Sequence, residues 1–163
     1  MPSGQGRLSR ETRVREAMQA VPARPCTVFQ DAPLEEVAEV LGREPGLHTV
    51  AVVDRQGQLK GIISMRILLD DIFLRLAPEE FLADMREMVG VEEFGRISRA
   101  ATAGDLMEGP VFIRMEDTVR EAFARLHEHR LEGLPIVNEA MKVVGYLDRF
   151  QLLRLALKGR HQR

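Results

Sequence analysis

The sequence predicts a mixed α/β (α+β) fold built twice, each half running strand, helix, strand, strand, helix. Three observations carry that expectation. A short apolar strand, a turn, a Gly-opened strand and a helix occur at Thr49 to Ile67 and again at Gly133 to Gln151. The spacing is a constant 84 residues for Asp54 and Asn138, Gly61 and Gly145, and Ser64 and Asp148. An amphipathic helix precedes each copy, and repetition at fixed spacing marks a repeat architecture.

In chain order, residues 1–12 are expected to be a flexible, Gly-, Ser- and Arg-rich N-terminus. Arg13 to Ala20 suits a short helix with Val14, Ala17, Met18 and Val21 inward; Pro22 and Pro25 then force extended chain. Thr27 to Phe29 reads as a strand. Pro33 to Gly42 reads as a helix, with Pro at its start, Glu35 and Glu36 at its positive end and Gly42 as its stop. Leu34, Val37, Ala38 and Leu41 form one apolar stripe, matched in the second half by Val119, Ala122, Phe123 and Leu126 behind a capping Asp117. Val50 to Val53 is apolar without alternation, as in a strand covered on both faces. Asp54 to Gly57 is a turn, Gly61 to Ile63 the returning strand, and Met65 to Leu76 a helix.

Pro78 to Val89 has no counterpart in the other half. Its apolar face (Phe81, Leu82, Met85, Met88, Val89) is expected to cover the chain's own core or a dimer seam, and Gly90 to end it. Leu106-Met107 and Pro110 to Ile113 repeat Ala17-Met18 and Pro25 to Val28. The expected divisions are thus 13–76 for one repeat, 77–101 for a helical linker, 102–157 for the second repeat and 158–163 for a basic tail. One unit of about 55 residues buries too little apolar surface to stand alone, whereas two packed sheet to sheet share a core.

Composition narrows the function. The 163 residues carry a net charge of −2, no Trp and one Tyr, which gives neither a basic footprint nor a stacking platform for nucleic acid. Cys26 stands alone, so no disulfide framework is expected, and a reducing cytoplasm is the expected location. No apolar run is long enough to span a bilayer. His127 and His129 lie two apart, on nearly opposite sides of a helix, so no metal site is expected there. With no glycine-rich phosphate loop and no nucleophile elbow, an enzyme is not expected.

The order and spacing of Met107, Pro110-Val111, the helix from Val119, Leu134-Pro135-Ile136-Val137-Asn138 and Gly145-Tyr146-Leu147-Asp148, met twice, resemble a tandem pair of CBS (cystathionine-β-synthase-type) domains. The resemblance implies two βαββα repeats packed through their sheets about a pseudo-two-fold axis, often dimerising into a disc. It further implies clefts that bind adenine-type effectors, namely AMP, ADP, ATP or S-adenosylmethionine, and a regulatory role toward a partner protein.

The family's ligand motif runs Gly, two residues, Thr or Ser, two residues, Asp. Here it maps onto Gly61, Ser64 and Ile67, and onto Gly145, Asp148 and Gln151. The motif's Asp, which would hold a ribose diol, is thus absent from both copies. Arg66 and Arg149 lie beside these places and suit a phosphate; His48 precedes the central strand; Pro135, Val28 and Ile113 complete the implied lining. Two readings stand: an adenine-ligand sensor acting as a homodimer, and, motivated by Ile67, a ligand-free dimerisation or interaction module. Ser64 and Asp148 also suit plain helix N-capping.

Overall fold

A computed structural model describes residues 8–44 and 46–160. Its elements in order are α1 (Val14–Ala20), β1 (Thr27–Phe29), α2 (Leu34–Arg43), β2 (Thr49–Val53), β3 (Leu59–Ser64), α3 (Met65–Leu76), α4 (Glu79–Val89), α5 (Val91–Arg99), α6 (Ala103–Leu106), β4 (Ile113–Arg114), α7 (Val119–Glu128), β5 (Gly133–Val137), β6 (Val143–Asp148) and α8 (Arg149–Lys158). They build two three-stranded sheets of the same order, β1-β2-β3 and β4-β5-β6. The first pair in each is parallel, Val28 against Val52 and Ile113 against Ile136. Both central strands are buried along their whole length, which explains their unbroken apolar sequence.

The chain forms two compact units that cut across the sequence repeats. One holds Thr27–Gln56 and Lys60–Pro110; the other holds the residues up to Cys26, Gly57–Leu59 and those from Val111 onward. The segment leading into each repeat therefore packs with the other repeat's strands, and matching bonds secure each leader. In the second-repeat unit Val14 N–H donates to Asp117 O at 2.8 Å, Arg15 N–H to Met115 O at 3.0 Å, and Val119 N–H to Thr12 O at 2.8 Å. In the first-repeat unit Ala103 N–H donates to Ala32 O at 2.8 Å, Gly104 N–H to Gln30 O at 2.7 Å, and Leu34 N–H to Ala101 O at 3.3 Å. Val14, Ala103 and Leu106 are fully buried, so each short helix contributes to the core.

Local chemistry sets most boundaries. Thr118 caps α7 and Glu121 reaches back to Thr118 N–H, a reciprocal capping box. Asp117, the expected cap, instead accepts from Arg114 N–H at 2.9 Å. Gly42 does not stop α2, which runs to Arg43, because the left-handed residue that turns the chain is Gly46 at φ 88°. Four left-handed positions repeat at the 84-residue spacing: Gly46 with Arg130 at φ 53°, and Gly57 at φ 81° with Met141 at φ 61°. Only the first copy puts glycine where such φ values cost least.

Helix α4 corrects one expectation. None of its residues is buried, so it does not cover the core. The helix that follows, α5, takes that place with Ile97, which is 1% exposed. The linker 77–101, expected to be helical, therefore holds two helices. Glu92 and Glu93 are exposed in the first turn of the second, where the helix dipole favours them.

Gly133 explains why β5 opens without a side chain. A Cβ there would collide with the hydroxyl and ring of Tyr146, which is 4% exposed and cannot swing away. Gly133→Ala is expected to destabilise by about 1–3 kcal/mol in urea unfolding, and Tyr146→Phe in the same chain should recover part of the loss.

The caps also give a pH dependence. Backbone N–H donation from Ala101 and then Thr102 holds Asp105 below its ordinary 3.8. Donation from the Thr118 N–H and hydroxyl holds Glu121 below 4.5. A depressed folded-state pKa adds stability above the unfolded pKa, lost as pH falls through the folded value. Thermal unfolding followed from about pH 6 to pH 3 should therefore show a smaller acid loss in Asp105→Asn with Glu121→Gln than in the parent chain.

Candidate functional site

The two copies of the motif form equivalent strand-to-helix corners. In the first, β3 ends at Ser64, whose side chain accepts from Ile67 N–H at 3.4 Å and caps α3. In the second, β6 ends at Asp148, whose carboxylate accepts from Gln151 N–H at 2.7 Å and caps α8. The first N–H of each helix is also taken at matching places, Met65 N–H by His48 O and Arg149 N–H by Glu132 O, both at 2.9 Å. Each corner therefore satisfies the first and third donors of its helix internally, and the capping role expected of both residues is present.

The motif's third position is filled from within in both copies. Ile67 is 1% exposed. Gln151 is 5% exposed and its amide is committed at both ends. Its Oε1 accepts from Asp148 N–H at 2.7 Å, and its Nε2 donates to Val21 O at 2.8 Å. The same Nε2 lies 3.9 Å from Met18 Sδ. Gln151 thus ties the leader segment to α8, helped by Lys158 Nζ donating to Ala20 O at 2.6 Å.

The remaining candidates fall into two groups, one per compact unit. With Ser64 in the first-repeat unit are Arg66, His48 and Val28. Arg66 is exposed and 3.7 Å from Asp70. The His48 side chain is exposed, and Val28 is buried in β1 opposite Val52. With Asp148 and Gln151 in the second-repeat unit are Arg149, Pro135 and Ile113. Arg149 is half-buried; its Nε donates to Leu131 O at 3.1 Å, and its guanidinium sits 5.5 Å over the Phe123 ring. Pro135 is buried beside Tyr146, and Ile113 is fully buried against Ile136.

Arg66 is therefore the cation more open to an incoming anion, while Arg149 is held by its own repeat. Asp148 supplies a carboxylate at the corner where the motif's own carboxylate is missing. The sequence reasoning missed Val21 and Met18 as neighbours of Gln151; the echo of Ala17-Met18 in Leu106-Met107 was the signal that the leaders belong to the design. Among the described residues, no group of three His, Cys, Asp or Glu side chains is placed to hold a metal ion. No helix among them is long and apolar enough to cross a membrane.

Two small repeats with exchanged leaders and duplicated capped corners define a tandem-repeat architecture. The CBS domain family model matches residues 10–73 and 103–158, and the chain belongs to that family. A CBS domain-containing protein of Dictyostelium discoideum is 28% identical over 133 residues, covering 81% of this chain and 84% of its own. A CBS domain-containing protein of Thermotoga maritima superposes with a TM-score of 0.74 at 23% identity, covering 93% of this chain and 99% of its own. The CBS-pair protein CBSX2 of Arabidopsis thaliana, solved in complex with AMP, gives 0.65 at 22% identity, covering 93% and 99%. At these identities the two structures attest the fold alone.

The commitments of Gln151 give a stability prediction. Gln151→Leu removes the hydrogen bonds to Val21 O and from Asp148 N–H and should cost about 2–4 kcal/mol in urea unfolding. Arg66→Ala removes only a surface ion pair and should change stability by less than about 0.5 kcal/mol.

Proposed function

We propose that the chain is a regulatory CBS pair that binds an adenine-type ligand (AMP, ADP, ATP or S-adenosylmethionine) at its strand-to-helix corners and passes the bound state to a partner protein. The carrying observation is the recurrence of a capped corner at Ser64 and at Asp148, both in the motif's hydroxyl place. With Ile67 and Gln151 buried in the diol place, this reading gives the ribose diol to Asp148, whose carboxylate accepts hydrogen bonds three residues earlier in the chain. Arg66 would serve the phosphate of the first corner, with His48 beside it; Arg149, Pro135, Ile113 and Val28 would frame the rest. The AMP bound to CBSX2 supports the ligand class. Coupling to the partner would be a population shift, the ligand favouring one arrangement of the module. No catalytic role is proposed.

The same reading makes the protein a cytoplasmic homodimer. Leu153 and Leu157 on α8 are 55% and 45% exposed, and their 84-residue counterparts Leu69 and Phe73 on α3 are 56% and 48% exposed. An apolar stripe that recurs in both repeats suits a second copy that meets both helices.

A thermal-shift panel of AMP, ADP, ATP and S-adenosylmethionine tests the ligand. A true ligand at about 100 times its Kd should add roughly 2.7 kcal/mol, and Asp148→Asn should reduce that gain. The burial of Ile67 and Gln151 favours a second reading, a ligand-free interaction module. Its signature is a dimer in light scattering that Leu153→Lys with Leu157→Lys disperses, together with no shift from any of the four compounds.

A further inference from the structure

The helical hairpin α4–α5 falls between the two family matches, in residues 74–102, and has no counterpart in the second repeat. It lies outside both family matches. Its inner helix is anchored: Ile97 is 1% exposed, Arg96 Nη1 donates to Leu106 O at 3.3 Å, and Arg75 from α3 bonds Ala100 O, which follows α5. On the outer helix α4, Leu82, Met85 and Val89 are partly covered, and Arg86 sits 5.4 Å over the Phe94 ring of α5. Phe81 and Met88, one helical face apart at i and i+7, are left 52% and 79% exposed, and Val91 beyond Gly90 is 74% exposed.

Charge decides what such a face accepts. Residues 79–99 carry six carboxylates against three arginines, and Arg86 and Arg96 are turned to their own fold. Glu80, Asp84 and Glu87 fall at i, i+4, i+7, one exposed stripe alongside Phe81 and Met88. Among the described residues none of the three forms an ion pair. Two copies meeting here through a two-fold axis would each bring the same acidic stripe to the seam, and like charges across an interface are costly. A cationic partner meets no such penalty.

We propose that α4, with Val91, is a docking face for a basic amphipathic helix of a partner protein, whose apolar residues cover Phe81 and Met88 while its Lys or Arg residues meet Glu80, Asp84 and Glu87. An exposed Met and Phe make an adaptable seat for such a helix. The inference does not rest on ligand binding at the corners, and its test contains no nucleotide.

The probe is a fluorescein-labelled 18-residue designed helix with Leu on one face and Lys on the other, titrated with the full chain and read by anisotropy. Saturable binding is expected. It should weaken at least about tenfold in the Glu80→Lys, Asp84→Lys, Glu87→Lys chain, in Phe81→Ser with Met88→Ser, and when Glu replaces Lys in the probe. All substituted residues are exposed, so unchanged thermal unfolding shows that the variants fold. Absence of saturable binding, or equal binding by the charge-reversed chain, would overturn the proposal. So would dissociation of a dimer by Met88→Asp in light scattering, which would give this face to a second copy.

Discussion

Backbone hydrogen bonding that no repeat can complete for itself governs this fold. The bonds from Val14 and Arg15 to Asp117 and Met115 have their counterparts in those from Ala103 and Gly104 to Ala32 and Gln30. Each joins a leader to the strand region of the other repeat. One such bond is worth about 1 kcal/mol net, but a buried group left without its partner costs about 1–3 kcal/mol. A repeat cut out with its own leader would lose all six of these bonds, the three its leader makes and the three its own strand region makes. The leader exchange is thus the physical reason that the two copies occur in one chain.

That constraint reaches into the motif. Where the family's pattern has a diol-binding Asp, the second repeat has Gln151, whose amide spans from Asp148 N–H to the Val21 carbonyl. An Asp at this position is shorter and has no N–H to offer that carbonyl. The same side chain cannot both hold the leader through a donated hydrogen bond and present two acceptors to a sugar. In the first repeat Ile67 serves packing instead. In both repeats the third position is thus given to the fold.

The elements with strong periodicity or a named cap were legible in the residues. Helix α3 spans Met65–Leu76 as the pattern predicts, and both corners carry the caps that Ser64 and Asp148 suggest. Three features were not legible. The leader exchange depends on contacts from residues 12–18 to 115–119, and local sequence holds no record of them. Arg130 and Met141 adopt left-handed φ although neither residue type signals it; only alignment with Gly46 and Gly57 at the repeat spacing exposes them. Helix α4 shows an apolar face by periodicity yet buries no residue, because periodicity reports which side is apolar and not whether anything covers it.

That last mismatch separates two kinds of apolar exposure. Leu69 and Phe73 recur as Leu153 and Leu157, so their exposure belongs to the repeated architecture. Phe81, Met88 and Val91 lie between the two repeats, beside exposed acids. Such a surface sets the unit that holds Lys60–Pro110 apart from the other. Helix α5 is anchored by Ile97 and Arg96, whereas α4 beside it buries no residue.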